Sequence, residues 1–201
     1  MTLMLLPHDL IWLNPHACIS PEPPDWMENC WDYDKPLVVR RAISSQGIVP
    51  VGMRGNLRGQ RHACFVMHQD VIRLQSPNEV IGALDTRDWE SPIIDAARTL
   101  SSHRWDFDWG IGGSLGYSLA TGVNVTRPTS DIDIVIRSFS PLSRDHFLEW
   151  LKVTENLPVR VDTQIDTGVG GFALKEWLNG SSVLLKTNQG PIIVKDPWQR
   201  N

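Results

Sequence analysis

Short apolar runs broken by proline, glycine and charge mark the first part of the chain, and alternating helix-like and strand-like segments mark the rest. Residues 36–40, 48–53, 63–67 and 70–74 have the apolar, β-branched character of short strands. The clustered prolines of 20–25 make that stretch a loop. Ser76-Pro77-Asn78-Glu79 has capping-box spacing with proline at the first helical position, which predicts a helix over 77–84. Beyond it, the pattern predicts helices over 92–103, 114–120, 143–154 and 173–178. Strands are expected over 106–111, 132–136, 159–165, 183–186 and 191–195. Alternation of this kind implies an α+β protein: a small amino-terminal β-rich domain over 1–85, and over 86–201 a mixed sheet flanked by helices.

Composition narrows the function classes. The 201 residues are 41% hydrophobic and 21% charged, the balance of an ordinary globular chain. No apolar run approaches the roughly eighteen residues of a membrane span. The apolar start lacks a basic region and soon reaches Asp9, so no signal peptide is expected. Cys18, Cys30 and Cys64 are an odd, widely spaced set, as expected of reduced thiols in a cytoplasmic protein. A net charge of −4 argues against a nucleic-acid backbone as the main partner, yet leaves room for a small phosphorylated ligand met by a few local arginines. The six histidines show no metal-ligand spacing, and the nine tryptophans are assigned to core or pocket wall.

Three features carry candidate chemistry. Gly112-Gly113-Ser114 lies between a predicted strand and a predicted helix, where glycines let the backbone turn sharply and the helix N-terminus offers amides and positive dipole to phosphate. Taken alone, a plain tight turn with Ser114 as N-cap is the favoured reading. In Ser130-Asp131-Ile132-Asp133-Ile134, strand alternation places Asp131 and Asp133 on one face, about 7 Å apart. Such a pair is suited to hard divalent cations such as magnesium; a solvated edge strand is the plainer alternative. In Arg160-Val161-Asp162, Asp162 shares a face with Arg160, Gln164 and Asp166. A neighbouring strand would bring Asp162 or Asp166 to the pair as a third carboxylate. Asp162 is the candidate because strand-formers flank it, although a structural salt bridge to Arg160 would also account for it. The basic segment 54–61 adds Arg54, Arg58 and Arg61, and the loop before Asp131 adds Arg127, whose guanidinium forks match phosphate oxygens. A solvated hairpin turn is the alternative for 54–61.

The order of these features resembles the nucleotidyltransferase superfamily that includes DNA polymerase beta. That resemblance implies phosphate binding at Gly112, Gly113 and Ser114, and two Mg2+ ions held by Asp131, Asp133 and Asp162. Sixteen residues separate Ser114 from Asp131, more than in compact members of that superfamily. The runs 109–117 and 129–133, with Pro36-Leu37-Val38-Val39-Arg40-Arg41, Val51-Gly52-Met53-Arg54-Gly55 and Val194-Lys195-Asp196-Pro197-Trp198, resemble a narrower family, the malonate decarboxylase holo-acyl-carrier-protein synthases, or phosphoribosyl-dephospho-CoA transferases. The resemblance implies a magnesium-dependent transfer from 2'-(5''-triphosphoribosyl)-3'-dephospho-CoA to a serine of the apo acyl-carrier-protein subunit of malonate decarboxylase, with release of pyrophosphate. It also implies a donor- or carrier-binding role for 1–85, catalysis by 86–201, and neither nucleic acid nor membrane as partner. Two other functions remain open on the residues alone: an NTP-dependent nucleotidyltransferase acting on a small molecule or protein, and a catalytically inert phosphate-binding regulatory module.

Overall fold

The strand-forming runs of the first part of the chain hydrogen-bond into one antiparallel sheet of order β4-β3-β2-β1-β5. Its strands are β1 (Leu10–Leu13), β2 (Leu37–Val39), β3 (Ile48–Arg54), β4 (Arg61–Met67) and β5 (Val71–Gln75). The computed structural model describes residues 4–55, 57 and 59–199. One face of this sheet is apolar: Ile11, Leu13, Leu37, Val39, Val51, Cys64 and Val66 form its core. Burial pushes the Cys64 thiol up to about 11, against a smaller opposite pull from Arg40, so the group is a neutral core side chain at ordinary pH. All three cysteines are free thiols.

Contacts divide the chain into two units between Ser76 and Pro77, ahead of the boundary expected near residue 85. The reason is a close approach in the second unit. There α1 (Pro77–Val80) lies on β6 (Trp109–Ile111), where a Cβ on Gly110 would collide with the Pro77 and Asn78 backbone. The Asn78 side chain also donates to the Trp109 carbonyl at 3.0 Å. The helix expected over 77–84 is α1 followed by a 3-10 turn over Ile81–Ala83.

The second unit is built on a six-stranded sheet of order β11-β10-β9-β8-β7-β6. Beyond β6 its strands are β7 (Ile132–Arg137), β8 (Val161–Asp166), β9 (Gly171–Ala173), β10 (Val183–Thr187) and β11 (Gly190–Val194). β7 and β8 run parallel, joined by the crossover helix α4 (Arg144–Glu155); the other neighbours are antiparallel. Parallel neighbours need such a crossover, and Ser143 caps this one by accepting a hydrogen bond from the Asp145 amide. The remaining helices are α2 (Pro92–Ser102), α3 (Gly113–Thr121) and α5 (Leu174–Asn179).

Register sorts the sheet into two faces. Ile132, Ile134 and Ile136 share one face with Val161, Thr163 and Ile165. On that face Trp150 and Phe147 of α4 are fully buried, and Trp150 Nε1 donates to Thr163 Oγ1 at 2.9 Å. Trp109, Phe172 and Trp177 extend the same aromatic layer by ring contacts, so with Trp150 these contacts place three of the nine tryptophans there. The opposite face carries Asp133, Val135 and Arg137 beside Asp162, Gln164 and Asp166. No helix among the described residues is long and apolar enough to cross a membrane.

Candidate active site

Pairing of β6 with β7 brings the first two sequence features together. Ile111 stands opposite Ile134, so the chain leaves β6 beside the start of β7. The Gly112 amide donates to the Asp133 carbonyl at 2.8 Å. Gly113 then turns with φ of +58°, and a Cβ there would collide with the Asp133 carboxylate. Glycine meets both conditions, a left-handed backbone and a missing side chain. α3 begins at Gly113 with Gly112, not Ser114, as its N-cap, and no side chain caps it. Ser114 instead sits half-buried in the first turn. The first-turn amides and positive dipole end are thus placed beside a carboxylate-bearing strand end, an arrangement suited to a phosphate accompanied by a cation.

Parallel pairing of β7 with β8 brings in the third feature. Asp133 stands directly opposite Asp162, whereas Asp166 stands opposite Arg137. Asp166 is 2% exposed, and its Oδ1 accepts from the Gly168 amide at 3.2 Å. It is therefore drawn into the turn after β8, while Asp162 is exposed on the face of Asp133. Asp131 lies just ahead of β7 and is half-exposed.

Arg160 bridges these carboxylates. Its guanidinium hydrogen-bonds both oxygens of Asp162, at 2.9–3.1 Å, and its Nε lies 3.8 Å from Asp131 Oδ2. The hydrogen bonds to Asp162, followed by the charges of Asp162, Asp131 and Asp133, raise its already high pKa. The salt bridge allowed from sequence is present, and it reaches a second aspartate that strand spacing alone did not indicate. Among the described residues, no group of three or more histidine, cysteine, aspartate or glutamate side chains is gathered to hold a metal ion as it stands. The donor chemistry nevertheless suits a hard cation: Asp133 and Asp162 stand opposite each other, Asp131 lies just ahead of the same strand, and Asp133 is set in the hollow left by Gly113.

The arginine candidates divide between the two units. Arg54 and Arg61 are exposed and directly opposite each other at the base of the β3–β4 hairpin, in the first unit. The hairpin is closed by a hydrogen bond from the Gly55 amide to the Gln60 carbonyl at 2.9 Å. Arg58 lies outside the described residues. Arg127 is exposed in a turn that leads into Asp131, where its amide donates to Ser130 Oγ at 2.8 Å.

Comparison with known proteins identifies two family domains along the chain. Residues 6–77 match the family model for the phosphoribosyl-dephospho-CoA transferase MdcG N-terminal domain, and residues 79–197 match that for the MdcG C-terminal domain. A phosphoribosyl-dephospho-CoA transferase of Klebsiella pneumoniae subsp. pneumoniae is 40% identical over 197 residues, covering 96% of each chain. Proteins of the same name from Pseudomonas putida and Azotobacter vinelandii are 36% and 35% identical; the alignments cover 96% and 98% of this chain, and 94% and 96% of theirs. No solved structure matches the chain.

Proposed function

The chain belongs to the phosphoribosyl-dephospho-CoA transferase family, and on that premise we propose that it moves the phosphoribosyl-dephospho-CoA group from 2'-(5''-triphosphoribosyl)-3'-dephospho-CoA to a serine of the apo acyl-carrier-protein subunit of malonate decarboxylase. The new bond joins the serine Oγ to the α-phosphorus of the donor. The bond from that phosphorus to the leaving oxygen breaks, and pyrophosphate departs. The observation that carries this reading is the register of β7 on β8, which sets Asp133 opposite Asp162 next to the glycine turn of α3.

Each residue has a defined task. The first-turn amides of α3 and Ser114 Oγ hold the terminal phosphates, with Gly112 and Gly113 allowing the close approach. Asp131, Asp133 and Asp162 would hold one magnesium ion and Asp131 and Asp133 a second, and the metal would supply charge neutralisation at the triphosphate and activation of the hydroxyl. Asp162 accepts the serine proton. Arg54, Arg58, Arg61 and Arg127 are assigned to the donor's phosphates on the strength of their charge and geometry. The amino-terminal unit binds donor or carrier protein. Much of the rate enhancement in this class of reaction comes from positioning and charge neutralisation.

Pyrophosphate release separates this reading from its main alternative. Release is expected with the triphosphoribosyl donor, apo carrier protein and magnesium together, and not when ATP replaces the donor. Equal release from ATP would assign the chain to nucleotidyl transfer from an NTP instead.

A further inference from the structure

Arg160 stands immediately before β8, and no step of the proposed reaction uses it. Its Nε and Nη2 donate to Asp162 Oδ1 at 3.1 and 2.9 Å, and Nη2 also donates to Oδ2 at 3.1 Å. The same Nε lies 3.8 Å from Asp131 Oδ2. The backbone is anchored as well: the Arg160 carbonyl accepts from the amide of Ile132, the residue between Asp131 and Asp133, at 2.9 Å. The guanidinium therefore spans the two strands at the position where their carboxylates converge.

Two physical facts bear on its role. Carboxylates brought to one sheet end repel one another, and a guanidinium that keeps its charge at any working pH offsets that repulsion. Yet the side chain of Arg160 is 69% exposed, against 39% for Asp131 and 48% for Asp162. An ion pair this open to water is weak and exchanges readily. A hard divalent cation seeks the same carboxylate oxygens, so the two cations compete.

We propose that Arg160 is a positioning residue that holds Asp162 and Asp131 in the metal-free protein and yields both carboxylates when a divalent cation arrives. The proposal rests on the metal role assigned above to the three aspartates. Arg160 stays protonated throughout, and no covalent bond changes. While the fork is in place, lone pairs on both Asp162 oxygens are committed to it. When a divalent cation arrives, it takes over those oxygens in place of the fork. The guanidinium is then left at the rim of the site.

Magnesium titration of the full chain, without donor or carrier, tests this in the wild type, Arg160→Gln and Arg160→Lys. In the wild type, the Arg160 Nε–H signal in nitrogen-15 NMR is expected to shift and to exchange faster with solvent as magnesium is added. Arg160→Gln is expected to bind magnesium about threefold more tightly, the scale of one exposed ion pair lost from the competing state. Arg160→Lys should fall between, because an ammonium is a point charge without the fork. An Arg160→Gln protein with unchanged or weaker affinity would overturn the proposal. So would a wild-type Nε–H signal that stays fixed while the Asp131 and Asp133 amides respond, and in that case the metal role of the aspartates survives. If neither the amides nor Nε–H respond, both the proposal and the metal reading fail. The wild-type NMR arm decides the question even if a variant folds poorly.

Discussion

At Gly113 the chain turns with φ of +58° and passes against the Asp133 carboxylate. Gly113→Ala meets both a left-handed backbone and a collision with Asp133. Its cost is expected to be about 1–2 kcal/mol of stability, read by urea denaturation, with loss of transfer in the fraction that stays folded. Full activity would show that Asp133 can move without consequence. The place of Asp133 on the face opposite Ile132 and Ile134 was legible in the sequence because a period of two settles which side chains share a strand face, whereas Asp131 lies ahead of β7. Which of Asp162 and Asp166 stands opposite Asp133 was not legible, since both lie on one face of β8. It is decided by register, Asp162 opposite Asp133 and Asp166 opposite Arg137, and no local spacing encodes register between strands joined through a helix. Ser114 was read as a possible N-cap because its residue type favours that position; the left-handed turn at Gly113 moves the helix start back, and Gly112 caps it.

At the scale of elements, the site depends on β7 and β8 lying side by side in one register, and the face opposite the aspartates holds them there. Trp150 of α4 is fully buried on that face and tied to Thr163 of β8. Trp150→Ala removes the largest side chain of that layer and leaves the Thr163 hydroxyl without this donor. A loss of about 3–5 kcal/mol is expected, seen as a lower denaturation midpoint. Activity should fall only with the folded fraction, because Trp150 lies across the sheet from the site; inactivity in fully folded protein would contradict that separation. Long elements with clear periodicity, such as α2, α4 and β7, were legible within a residue or two. β1 was missed because Leu10–Leu13 is a short apolar run whose partners, β2 and β5, are distant in sequence. β9 was missed because three residues, Gly171–Ala173, are too few to show a period. Of the strand expected over 106–111, only Trp109–Ile111 forms; Trp105 and Phe107 ahead of it join the aromatic layer instead.

Over the whole molecule, two units correspond to two family domains, and relatives of known name align along nearly the full chain. The α+β class and the existence of a β-rich first unit were readable from element patterns. The contact boundary lies ahead of residue 85 because the helix expected over 77–84 reads from sequence as the close of the first unit, whereas Gly110 admits α1 onto β6. The donor class lies beyond residue patterns altogether and enters through family membership, and the carrier protein belongs to the proposed function. One measurement bears on the central claim most directly: the intact mass of apo acyl-carrier-protein subunit after incubation with enzyme, magnesium and the triphosphoribosyl donor. A mass gain equal to one phosphoribosyl-dephospho-CoA group is expected, lost when magnesium is chelated and lost with Asp131→Ala, Asp133→Ala or Asp162→Ala proteins that remain folded. An unmodified carrier with wild-type enzyme, or the same gain with the aspartate variants, would contradict the account.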